Sequence, residues 1–201
     1  MKYLYLLILF TIGMNLSARS QLLIERRNIA EVRKYEAENG SENQGFKKMQ
    51  VGADFFHGAQ EKVEYFPLTF KRINDTFKPK CVVEYYYSDK DSIINAIVYD
   101  WNIMNEVTNL KTDGYKFDQQ TDRKDEYIQQ YNSIRDQLIK LFGEPSRTKK
   151  IKEDGHLVAG ETDWYLKNMD LRLTMLFSSQ LQVAGPFKLG SFRVRLVTDW
   201  K

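Results

Sequence analysis

One long stretch of the chain, residues 122–142, repeats its apolar side chains at intervals of three and four, while the other strongly patterned stretches alternate. These two periods separate helix from strand. Residues i, i+3 and i+4 share a helix face, whereas residues i and i+2 share a strand face. In 122–142 the stripe is Tyr127, Ile128, Tyr131, Ile134, Leu138, Leu141 and Phe142, with Lys124, Gln129, Gln130 and Asp136 on the other side. Thr121 or Asp122 caps the start, Asp125 and Glu126 follow in the first turn, and Lys140 sits in the last. Gly143 then supplies a stop and Pro145 forbids continuation, so every local signal describes one amphipathic helix.

The alternating stretches flank it. In 80–88, Cys81, Val83, Tyr85 and Tyr87 point one way and Val82, Glu84 and Tyr86 the other; 92–101 alternates likewise, and 88–92 is a polar turn. A β-hairpin follows. The consecutive tyrosines 85–87 therefore furnish both faces of a sheet and cannot form one patch. After the helix, 148–152 and 156–159 flank Glu153, Asp154 and Gly155 as a second hairpin. Strands are expected at 162–166, 171–177 and 191–200, with a loop at 181–190 around Gly185, Pro186 and Gly190. Strands, helix, strands with antiparallel neighbours make an α+β two-layer domain: an antiparallel sheet with one long amphipathic helix (about 122–142) packed on one face. Earlier, 21–39 suits a short amphipathic helix, 40–45 a turn or linker, and 50–57 and 63–72 hold one or two further strands, limited by Pro67.

The first twenty residues have the layout of a secretory signal: basic Lys2, an apolar run at 3–14, then small Ala18 and Ser20. That run falls short of the roughly 20 residues a spanning helix needs. Cleavage after Ser20 leaves no transmembrane anchor and sends the product to the periplasm or cell exterior. The expected organisation is 1–20 signal peptide, 21–45 N-terminal helix and linker, and 46–201 a single α+β domain. Losing Lys2 and Arg19 leaves 28 of the 30 basic residues against 27 acidic ones, a near-neutral chain with no electrostatic reason to bind nucleic acid. Cys81 is the sole cysteine, so a disulfide-stapled scaffold is excluded, and its strand parity makes it a buried apolar residue.

Catalytic signals are sparse. His57 and His156 are the only histidines, and Asp54 with His57 would share an ion only on a helix, which the surrounding sequence does not favour. No GxSxG elbow, nucleotide-phosphate loop or closely spaced His/Cys set occurs. The acid pairs Asp89/Asp91 and Asp122/Asp125 occupy a turn and a helix start, the ordinary homes of solvated carboxylates. Asn39 and Asn74 begin glycosylation sequons. No cofactor or metal is expected.

One constellation stands out. Arg193 and Arg195 share a strand face, and Arg172 lies on a strand that can pair beside them. Fixed guanidiniums bind carboxylates and phosphates in bidentate fashion, so the three can contact an anionic ligand or an acidic protein partner. The competing reading is a solvated sheet face whose arginine stems cover apolar area, balanced by Glu84 or Asp199. The sequence thus suggests an exported, non-enzymatic binding or interaction module; a small carboxylate-dependent hydrolase of envelope polymer is the alternative.

Overall fold

The computed structural model describes residues 22–46, 49–51, 63–65, 67–87, 91–184 and 187–201. The signal-peptide segment and the Asp54/His57 pair lie outside them, as do 88–90 of the first hairpin turn.

The chain is α+β: a mostly antiparallel eight-stranded sheet with a few helices. Its elements are α1 (Ile29–Glu38), β1 (Glu42–Phe46), β2 (Met49–Val51), β3 (Val63–Tyr65), β4 (Leu68–Lys71), β5 (Cys81–Tyr87) and β6 (Ile94–Asn102). A 3-10 turn (Ile103–Glu106) and the short helices α2 (Leu110–Asp113) and α3 (Tyr115–Asp118) lead to α4 (Lys124–Phe142). Then follow β7 (Arg147–Asp154), β8 (Leu157–Tyr165), β9 (Met169–Ala184) and β10 (Phe187–Trp200). Across the sheet the order is β1-β4-β5-β6-β10-β9-β8-β7, with β2 and β3 paired separately. Two meanders therefore meet at β6 and β10, the last strand returning to the middle of the sheet.

Register makes the core. Paired residues share a face, so rows run straight across the strands. One is Cys81–Trp101–Val194–Met175–Gly160; the next is Val83–Tyr99–Leu196–Leu173–Thr162; a third is Tyr85–Ile97–Thr198–Leu171–Trp164. All of these residues are buried. Burial lifts the Cys81 thiol well above its ordinary pKa, which suits an inert packing residue.

Helices meet this face at particular points. The Tyr127 ring lies 5.7 Å from Phe177 and 6.3 Å from Phe192. The Tyr131 hydroxyl is 2.6 Å from Thr162 Oγ1. A Cβ on Gly160 would come within 3.3 Å of Tyr131 Cζ and of Ile151, so glycine permits the helix this close an approach. The Trp164 indole donates to Gly143 O at 3.0 Å, fixing the end of α4, and Gly143 takes the positive φ of 80° expected of a stop. The cover is not one helix alone: Val32 of α1 and Leu23 ahead of it belong to the same core.

Several local expectations change. The first residue of α4 is Lys124, and neither Thr121 nor Asp122 caps it, since Arg123 holds the cap position without a side-chain bond. Leu141, expected on the buried stripe, is 63% exposed in the last turn, and Gln130, expected on the outer side, is buried. Most of 40–45, expected as a turn or linker, belongs to edge strand β1 (Glu42–Phe46). The expected loop at 181–190 is instead strand on both sides of 185–186, because β9 and β10 continue as a hairpin past their neighbours.

Candidate functional site

The opposite face of the sheet is laced with charge, again in rows. Reading from β4 to β7, one row is Lys71–Val82–Asp100–Arg195–Thr174–Glu161–Lys149. Its neighbour is Thr69–Glu84–Val98–Val197–Arg172–Asp163–Arg147. Period-two alternation puts all these residues on the non-core face, and the order of strands then sets cation beside anion.

The three arginines singled out in the sequence do share this face, and each is tied to a carboxylate. Arg193 Nε and Arg195 Nη2 each lie 3.1 Å from Asp100, one on either carboxylate oxygen. The Arg193 approach lacks hydrogen-bond alignment, and burial draws its pKa below the ordinary guanidinium value against the pull of Asp100. Arg172 donates through Nε to Asp163 Oδ1 at 3.1 Å, and Arg147 donates to the other oxygen at 2.7 Å. Arg147 also reaches Glu161, which Lys149 approaches at 3.1 Å. Their balancing acids are thus Asp100 and Asp163, not only the Glu84 or Asp199 expected from sequence. Glu84 accepts from Tyr86 at 2.9 Å, and burial raises the Tyr86 pKa. Asp100, Asp163, Glu84 and Tyr86 are all buried, so this end of the face is not simply solvated.

A second polar cluster sits within the core. Glu36 of α1 is wholly buried and receives Arg72 Nη2 at 2.6 Å, the Tyr85 hydroxyl and the Ser41 hydroxyl. The Arg72 guanidinium lies 5.0 Å from the Tyr99 ring centroid and 5.8 Å from that of Tyr35. The Tyr99 hydroxyl in turn bonds both backbone groups of Leu23, at 2.8 and 3.0 Å. Every member has a partner, and burial pushes the Tyr85 hydroxyl well above its usual pKa. This cluster docks the N-terminal segment on the sheet. Sequence reading missed it because the members are 36 and 49 residues apart and no period links them.

The remaining candidates disperse. Asp91 caps its own turn by accepting from Ile93 N at 2.9 Å, and Asp122 and Asp125 are exposed. His156 is an exposed turn residue whose Nδ1 lies 3.2 Å from Ser179 Oγ. Among the described residues, no three of His, Cys, Asp and Glu stand close enough to hold a metal ion. A shallow depression on the outer side of α4 is lined by Gln129, Asn132, Ser133, Asp136, Gln137 and Lys140, all surface residues of one helix. Comparison with protein-family models, curated proteins and solved structures finds no match.

Proposed function

We propose that the chain is exported and serves as a non-enzymatic binding or interaction module of the cell envelope or extracellular space. Its contact surface is the charged sheet face, where Arg172, Arg193 and Arg195 meet an anionic ligand or an acidic protein. On this reading α4 is the principal cover of the core face, giving a two-layer body whose other layer faces outward. One observation carries the proposal: the three guanidiniums are fixed by carboxylates yet keep side-chain exposures of 33%, 36% and 17%. Donors ordered in advance lose little freedom on binding, which favours recognition over loose charge attraction. Export is supported by residues 1–20, and among the described residues no helix is long and apolar enough to cross a membrane. Among the described acids, Asp91 caps its own turn and Asp122 and Asp125 are exposed, which does not favour the hydrolase alternative.

Mass spectrometry of the exported fraction tests the first half: the mature chain begins at Gln21, and a product retaining Met1 overturns it. Cross-linking in intact cells, then affinity measurement with the recovered partner, tests the second. Replacing the three arginines by alanine abolishes binding, and replacing them by lysine, which keeps charge but not the planar fork, weakens it. Unchanged affinity in both variants, with circular dichroism intact, refutes the surface.

A further inference from the structure

The charged rows finish on the same sign at one edge of the sheet. Crossing the sheet, one runs Asp100, Arg195, Glu161, Lys149 in alternating sign; the next runs Glu84, Arg172, Asp163, Arg147. Both stop on a cation at β7, the last strand of the sheet. A third row, Arg193–Leu176–Ala159–Lys152, stops on a cation as well. In the two alternating rows the next residue called for is an acid.

β7 is also open. All its residues are exposed except Ile151, which is half-buried. It contains no proline, and among the described residues only β8 pairs with it. An edge strand of this length presents a line of unpaired N–H and C=O groups to any extended chain. Lysines on an edge ordinarily guard it, and here they do so selectively. β7 carries Arg147, Lys149, Lys150 and Lys152 ahead of Glu153 and Asp154, so an acidic strand laid beside its first half meets complementary charge. The far edge, β1, is shorter; both edges carry a register shift, between Asn43 and Gly45 in β1 and between Lys149 and Lys152 in β7, so β7 offers its regular ladder over 147–149.

We propose that β7 accepts an extended acidic segment of a partner protein as a ninth strand, with acids at alternate positions opposite Arg147 and Lys149. This rests on the reading of the chain as a binding module and names the chemistry of its partner. Backbone pairing supplies the affinity and the alternate acids supply the register.

The test uses the mature protein and three defined decapeptides: alternating Glu-Thr, the same composition with the glutamates in one block, and alternating Lys-Thr. Calorimetry gives affinity, and amide exchange reports on residues 147–154. The alternating acidic peptide binds and slows exchange at the outward β7 amides, those not bonded to β8. Charge reversal at Lys149→Glu with Lys152→Glu weakens it by roughly tenfold or more and lets the Lys-Thr peptide bind; the neutral pair Lys149→Gln and Lys152→Gln falls between. Equal binding of the block peptide, absence of β7 protection, or no binding at all overturns the proposal. Binding lost in Arg193→Ala without β7 protection assigns the acid to the sheet face instead, overturning the edge while sparing the module. Protection at β7 unaffected by Arg193→Ala supports the edge even where the arginine surface fails.

Discussion

Glu36→Ala removes the acceptor on which Arg72, Tyr85 and Ser41 converge. The Arg72 side chain is only 7% exposed, so its guanidinium is stranded in the core beside two tyrosine rings. Stranding one partner of a buried ion pair costs about 3–5 kcal/mol, and an orphaned buried hydroxyl such as that of Tyr85 adds about 1–3 kcal/mol. The two do not sum in full, because α1 has a route of escape: it can detach and let water reach Arg72. Its other holds on the sheet are Val32 and the backbone bonds Ile29 N to Ser92 O and Ile94 N to Arg27 O, each 2.9 Å. The expected loss is therefore about 3–5 kcal/mol, a large share of the roughly 5–15 kcal/mol of a typical domain. Converting both partners to apolar residues, Glu36→Leu with Arg72→Met, removes both charges of the pair and costs much less than the two single changes together. Urea unfolding followed by circular dichroism measures Glu36→Ala, the two single changes of the pair and the double change, and amide exchange across α1 separates local detachment from global loss. A cost below about 1 kcal/mol for Glu36→Ala, or a double variant equal to the sum of the singles, refutes the argument.

Two residues of the same helical stripe divide by burial. Leu138→Ala costs about 2–5 kcal/mol, whereas Leu141→Ala, at a side chain with 63% exposure, stays within about 0.5 kcal/mol in the same unfolding assay. Asp113 accepts hydrogen bonds from Thr108 N, Thr108 Oγ1 and Asn109 N, which hold its carboxyl below the usual range. A depressed folded-state pKa contributes stability that is present above the ordinary aspartate value and lost as pH falls toward the folded one. Wild type accordingly melts above Asp113→Asn at neutral pH, and the gap closes in strong acid; a gap independent of pH contradicts this.

The sequence by itself determined element type and side-chain parity wherever a period ran long enough. Tyr85 and Tyr86 take opposite faces, Cys81 packs inward, and the helix ends at Gly143. Arg172, Arg193 and Arg195 fall on the non-core face, all because backbone geometry within one element fixes which residues share a side. Parity also put Asp100 on the face opposite Trp101 within its own strand. What it did not contain was adjacency. Which strand lies beside which depends on β10 returning between β6 and β9, a pairing settled by burial of three whole rows and not by any local pattern. Only that tertiary choice sets Asp100 against Arg195, Asp163 against Arg172 and, through contacts spanning 36 residues and more, Glu36 against Arg72. Charges find partners through space, so their compensation becomes visible only once the sheet is closed.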